Sequence, residues 1–210
     1  MGLPVLITGE SGSGKTYSIK NMDAEKVGIF AVEKSLLPFK NKGFKVAKNA
    51  DYNKILSALK KPQLKAYVID DSQYLMAFSL FDKAKEAGYQ KFTDCALNFY
   101  NLLRTIQDRT SPDTIVYLLH HTERGDDGHI KAKTSGKMLD SQLTVEGLFS
   151  IVLLAETNGK EHYFITQSNG LTTAKSPMEM FPAKIDNDLK AVDMAIREYY
   201  GFGGEKNEEV

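Results

Sequence analysis

The sequence predicts an α/β fold, a mostly parallel twisted sheet with helices on both faces. Three observations carry this. Short runs that are apolar throughout recur along the chain, with helix-compatible segments between them. Strands of that composition are buried on both faces, as in a parallel sheet under two helix layers. Residues 9–16 read Gly-Glu-Ser-Gly-Ser-Gly-Lys-Thr and lie between the first apolar run and a helix-compatible segment. They fit G-x-x-x-x-G-K-[ST], the phosphate-binding P-loop, in the strand–loop–helix setting the motif requires. Late in the chain, Asn158-Gly159 separates two strand-like runs and marks an antiparallel hairpin near the C-terminal end.

The elements follow in order. Residues 3–7 read as the buried strand before the P-loop, and 15–23 as the helix after it. Residues 27–32 are apolar throughout, and 44–47 suit a short extra strand. Residues 66–69 form an apolar run that ends at Asp70-Asp71. Residues 114–119 are β-branched and apolar and end at His120-His121. The hairpin strands are expected at 150–154 and 163–167. Further helices are expected at 51–61, 72–88, 91–110 and 186–200; the last carries Leu189, Val192, Met194, Ala195 and Ile196, compatible with one packed face. Residues 122–137 are polar and glycine-bearing and are expected to form a mobile loop. Residues 1–200 read as one domain, and 201–210 as a disordered tail.

Composition narrows the partners. Lys+Arg and Asp+Glu both number 27, so no global field draws the chain to nucleic acid or to an anionic membrane, and any such binding needs a local patch. The single cysteine, Cys95, gives no disulfide framework; it fits a reducing compartment and a core position. No apolar stretch approaches the ~20 residues that span a bilayer. With no leader before the first strand, a cytoplasmic protein without a membrane partner is expected.

The P-loop has a definite chemistry. Gly9, Gly12 and Gly14 can take positive φ and let backbone approach phosphate. The N–H groups of Glu10, Ser11, Ser13 and their neighbours, through to Tyr17, then form an anion nest. Lys15 supplies charge for β- and γ-phosphates, and Thr16 a hydroxyl for Mg²⁺. Asp70, about 55 residues after Lys15 at the end of an apolar strand, fits the magnesium acid of a Walker B strand. Asp71 suits the metal's outer shell, and Asp71-Ser72 equally suits the cap of the next helix.

Glu33, after the second strand, is placed to orient or deprotonate a water, or is a surface acid. One of His120 and His121 suits a γ-phosphate contact, while a buried structural imidazole is the bland alternative. Lys131, Lys133 and Lys137 offer charge to nucleic-acid phosphates, diluted by Asp126 and Asp127. Tyr74 and Phe78 suit base stacking or core packing. Lys175 is either a surface lysine or a group that enters a neighbouring subunit's site.

Together, the P-loop, "GIFAVEKSLLPF", "YVIDDSQYL", "TIVYLLHH", a loop and a hairpin resemble the RecA-type P-loop ATPase core. The chain is similar, over about residues 3–190, to short phage RecA-core proteins described as AAA-type nucleotide-binding proteins, through Ala174-Lys-Ser and Phe181-Pro182 as well. Some of those act in single-strand annealing. The resemblance implies an ATPase using ATP and Mg²⁺ and stimulated by DNA. It implies Glu33 as the water-activating acid, His120 or His121 as the phosphate sensor and the 122–137 segment as the contact to single-stranded DNA. It also implies a homo-oligomer with ATP at the subunit interface, a single-strand DNA-binding protein as a partner, and a phage-encoded protein in the host cytoplasm. With no room for RecA's flanking segments, annealing is implied rather than full strand exchange.

Two other functions fit a P-loop. A small-molecule kinase needs arginines to clamp phosphates, and Arg104, Arg109, Arg124 and Arg197 form no recognisable lid. A nucleotide-gated accessory protein would bind with little turnover.

Overall fold

A computed structural model of the chain describes residues 1–34, 36–135 and 144–203. Lys137, and residues 204–210 of the expected tail, lie outside the described residues.

One nine-stranded sheet organises the chain. Its strands are β1 (Leu3–Gly9), β2 (Val27–Ala31), β3 (Val46–Lys48), β4 (Ala66–Asp70), β5 (Ile115–Arg124), β6 (Ile130–Ala132), β7 (Val152–Thr157), β8 (His162–Ile165) and β9 (Lys184–Asp186). The order is β3-β2-β4-β5-β1-β7-β8-β9, with β6 paired to the far end of β5. From β3 to β7 every pairing on this path is parallel. β7, β8 and β9 then pair antiparallel, and Gly159 at the β7–β8 turn has φ +86°. β5 therefore lies between the P-loop strand β1 and the acid-bearing strand β4.

The helices are α1 (Tyr52–Leu59), α2 (Gln73–Asp82), α3 (Gln90–Arg109) and α4 (Leu189–Tyr200). Alternate strand residues enter opposite cores. Leu6, Ile69 and Leu118 pack with Ile55, Met76 and Phe99 of α1, α2 and α3. Val5, Ile7, Val68 and Tyr117 pack with Ile19 and with Val192 and Ile196 of α4. That two-sided burial is why the strands read as unbroken apolar runs. Cys95 is buried on α3. Tyr117 donates from its hydroxyl to Asp193 at 2.8 Å, and Arg197 donates to the Asp113 and Lys65 carbonyls, fixing α4 across the strand N-terminal ends.

Three expectations need correction. The P-loop is followed by a six-residue 3-10 turn, Thr16–Asn21, instead of an α-helix over 15–23. The Ser18 hydroxyl donates to the Lys15 carbonyl at 2.6 Å and competes with the α-helical ladder. Met22 is already extended, and its N–H bonds the Ile19 carbonyl in the tight i→i+3 pattern. Second, the expected loop over 122–137 is in its described part a short β5–β6 hairpin, turned through Gly125–Gly128, with Gly128 at φ +81°. Its strands are polar and β6 has three residues, so the apolar periodicity that reveals the other strands is missing. Third, β9 arises in a segment with no strand-like run and pairs only at the sheet's antiparallel edge.

Candidate active site

The C-terminal ends of β1, β2, β4 and β5 surround a cleft of about 640 Å³. One wall is the loop after β1. Gly12 and Gly14 have φ +79° and +95°, where other residues are strained. Gly9 does not share that conformation, contrary to expectation. It is needed for close packing, because a Cβ there would stand 2.5 Å from Ser13 Oγ and 2.7 Å from the Ala155 carbonyl. Ser11, Gly12, Gly14, Lys15, Thr16 and Tyr17 line the cleft. Glu10 and Ser13 face a smaller hollow on the other side of the loop.

Lys15 is 6% exposed. Its ammonium donates to the Gly9 and Glu10 carbonyls, both at 2.8 Å. Burial lowers its pKa to about 8, offset by the charges of Asp71, Asp70 and Glu10, so the group stays largely protonated at pH 7. Thr16 Oγ1 donates to Asp70 Oδ1 at 2.9 Å. Asp70 is 2% exposed, and burial, with Asp71 adding to it, raises its carboxyl to about 6. A hydroxyl and a buried carboxylate in contact are a fitting pair of oxygens for Mg²⁺, which takes one or two protein ligands and fills its shell with phosphate and water.

The opposite wall comes from three other strand tips. Glu33 follows β2, is exposed, and lines the cleft. Asp71 follows β4 in the left-handed region at φ +59°, a conformation uncommon for a non-glycine residue. Its carboxylate lies 3.2 Å from His121 Nε2. Tyr74 meets His121 edge-on, with ring centroids 5.5 Å apart, and stacks on Phe78 at 5.3 Å. All five residues border the same space.

The two histidines after Leu119 separate. His120 is fully buried. Its Nε2 lies 2.8 Å from the Lys133 carbonyl and its Nδ1 2.9 Å from Ser72 Oγ. A carbonyl only accepts, so Nε2 carries the proton, and Nδ1 accepts from the serine hydroxyl. Burial lowers its pKa to about 4, which keeps it neutral. The expectation that His120 meets phosphate is corrected, since both nitrogens are spent inside the fold. The Ser72 hydroxyl is spent there too, so neither Ser72 nor Asp71 caps α2 with its side chain, against the capping alternative.

Other expected residues stand elsewhere. Lys175 is tied by its backbone to Val152, opposite Leu6 and away from the loop end of β1, and does not line the cleft. Lys131 faces Glu123 across the β5–β6 hairpin, 3.2 Å away, and Lys133 is exposed just beyond it. His162 joins the site without a motif to announce it. It opens β8, and its Nδ1 lies 3.1 Å from the Ser13 carbonyl, to which it must donate. A Cβ on Gly14 would strike this ring at 2.8 Å. The sequence holds two clues to it: the Asn158-Gly159 turn, and its place one strand beyond the P-loop strand's neighbour. Their meaning needs the β1–β7–β8 order.

A glycine loop with a buried lysine, and a threonine bonded to a strand-end aspartate, define a P-loop nucleotide-binding core. A family model described as an AAA domain matches residues 1–185. The chain belongs to that family, whose P-loop core binds nucleotide and acts as an ATPase. No curated protein matches it. No helix among the described residues is long and apolar enough to cross a membrane.

Proposed function

We propose that the protein is a RecA-like, Mg²⁺-dependent ATPase whose cycle is coupled to single-stranded DNA, in annealing or recombination of the kind phages encode. The observation that carries the reading is the Thr16–Asp70 contact at the rim of a cleft that also holds Glu33. A phosphate grip, a metal pair and a carboxylate for water then share one space. Lys15 balances β/γ-phosphate charge, and bound Mg²⁺ would bridge phosphate oxygens beside Thr16 and Asp70. Glu33 orients the attacking water and accepts its proton. His121, open to the cleft, contacts the γ-phosphate.

Coupling to DNA is supported by a chain of contacts. Ser72, two residues beyond Asp70, holds His120, and His120 holds the backbone of Lys133. A shift at the nucleotide therefore reaches the hairpin that carries Lys131 and Lys133. Lys137 extends the same basic segment in sequence. Lys175, remote from the cleft of its own chain, is the candidate to stabilise transition-state charge in an adjacent copy of a homo-oligomer. A single-strand DNA-binding protein is the proposed accessory partner, and the cytoplasm the proposed location.

The test is steady-state Mg-ATP hydrolysis with and without single-stranded DNA. Turnover that rises with DNA is expected. Phosphate transfer to a small acceptor would replace this reading with a kinase, and saturable binding without turnover would replace it with a nucleotide-gated accessory protein.

A further inference from the structure

Beyond Tyr17 and His162 the cleft continues into a second hollow of about 740 Å³, between the 3-10 turn, β8 and β9. Tyr17 and His162 border both spaces, with their rings 6.3 Å apart. The second hollow differs from the phosphate cleft in charge. Lys20, Lys160 and Lys184 are matched there by Glu161, Asp186 and Asp188. A polyphosphate gains little in a balanced groove, whereas a neutral ring can enter it. Two aromatic faces are present, Tyr17 under the Lys20 ammonium at 4.0 Å and Tyr163 under that of Lys184 at 3.7 Å.

One side chain there is unexplained by the fold. Asn187 is 8% exposed, yet neither Oδ1 nor Nδ2 has a hydrogen-bond partner. Its neighbours are engaged: Asp188 accepts from Asn21 Nδ2 at 2.8 Å and from the Lys190 N–H at 3.0 Å. Buried amides are normally satisfied, and one that is not calls for an explanation. A carboxamide presents a donor beside an acceptor. The matching ligand edge has an acceptor beside a donor, as adenine has at N7 and the 6-amino group. Guanine's corresponding edge, N7 and O6, accepts only.

We propose that this groove is the purine subsite of the nucleotide, with the base lying against Tyr17 or Tyr163 and Asn187, turned toward the groove it lines, selecting adenine. The inference rests on the nucleotide-binding reading above and deepens it.

Calorimetric titrations with Mg²⁺ and ATP, GTP or tripolyphosphate separate the two. The wild-type chain should bind ATP more tightly than GTP. Asn187→Leu and Asn187→Asp should each weaken ATP by about 10-fold, the range of one good hydrogen-bonded pair, and leave tripolyphosphate unchanged. An unchanged ATP:GTP ratio in both variants overturns the subsite while the phosphate grip stands. Failure of the wild type to bind either ATP or tripolyphosphate overturns the nucleotide reading and the subsite with it. A photolabelling experiment needs no variant. Irradiated with 8-azido-ATP, the wild-type protein should be labelled on the peptides around Tyr17, Tyr163 or Asn187. Labelling confined to the peptide with Tyr74 and Phe78 places the base on the opposite wall and overturns the proposal.

Discussion

The two walls of the cleft are built on different principles. The phosphate wall is eight consecutive residues, and its geometry follows from glycines at φ +79° and +95° and a lysine folded back onto its own loop. The facing wall is Glu33, Asp71, Tyr74 and His121, drawn from three strand tips that meet only because β5 lies between β1 and β4. The first wall needs no tertiary structure to be read. The second depends on strand order and on which way each strand-end side chain points. Adjacent strand residues face opposite sides, so a one-residue choice separates a cleft group from a core group. Asp71 and His121 face the cleft, while Asp70 and His120 turn inward, one toward Thr16 and the other toward Lys133.

The largest effect should come from the contiguous wall. Lys15→Ala removes the buried ammonium and should abolish measurable ATP binding in a titration. Turnover at the wild-type rate in that variant would remove the loop from the chemistry. The facing wall should act on rate and not on grip. Glu33→Gln should bind ATP as the wild type does and hydrolyse it about 10²-fold or more slowly, measured by single-turnover kinetics. An equal loss of binding would mean that the two walls are not separable in this way.

The histidine pair sharpens the comparison within two residues. His121→Gln should slow turnover with little change in stability, because its ring borders the cleft. His120→Gln should act through stability, and its pH dependence has a definite sign. His120 has its pKa lowered to about 4 in the fold, against 6.5 ordinarily. Between those values the unfolded chain binds the extra proton, so its contribution is complete above pH 6.5 and is lost as pH falls toward 4. At 1.36 kcal/mol per unit this is about 3 kcal/mol. Asp70 works in the opposite sense over much the same window. Its carboxyl is raised to about 6, so the folded state binds the extra proton and stability falls as pH rises from about 4 to 6, again by about 3 kcal/mol. The two slopes nearly cancel in the wild type. In Mg²⁺-free denaturant titrations the gap between wild type and His120→Gln should therefore widen by up to about 3 kcal/mol from pH 4 to pH 7. A gap that stays constant would deny the buried neutral imidazole.

Legibility follows the same division. The strands of the parallel core, the hairpin turn at Asn158-Gly159 and the P-loop can be read because apolar runs and a glycine pattern are local signals. The 3-10 turn cannot, because Ser18 looks like any helical serine until its hydroxyl is seen on the Lys15 carbonyl. The β5–β6 hairpin cannot, because its strands carry charge instead of apolar alternation. His162 cannot, because its partner Ser13 is 149 positions away. Asp70 is legible, since the apolar run ends on it; the choice between His120 and His121 is not, since both follow the same strand and only the packing of Ser72 and Lys133 decides it.

The smallest effect concerns the hairpin that hangs from that packing. Removing one lysine–phosphate pairing with single-stranded DNA lowers the salt slope by about 0.7. Lys133 is exposed beyond β6, so Lys133→Ala should cost close to that full value in a fluorescence-anisotropy salt series. Lys131 already faces Glu123 at 3.2 Å, and a phosphate must compete with that carboxylate, so Lys131→Ala should cost less. The order matters more than the size. If Lys131→Ala flattens the slope more than Lys133→Ala, the DNA track runs along the β5–β6 face and not past its end, and the path from Ser72 through His120 to Lys133 does not deliver the nucleotide state to DNA. If neither changes the slope, the hairpin is not the contact surface, and the exposed edge of Phe78, 39% open at the mouth of the cleft, becomes the next place to look.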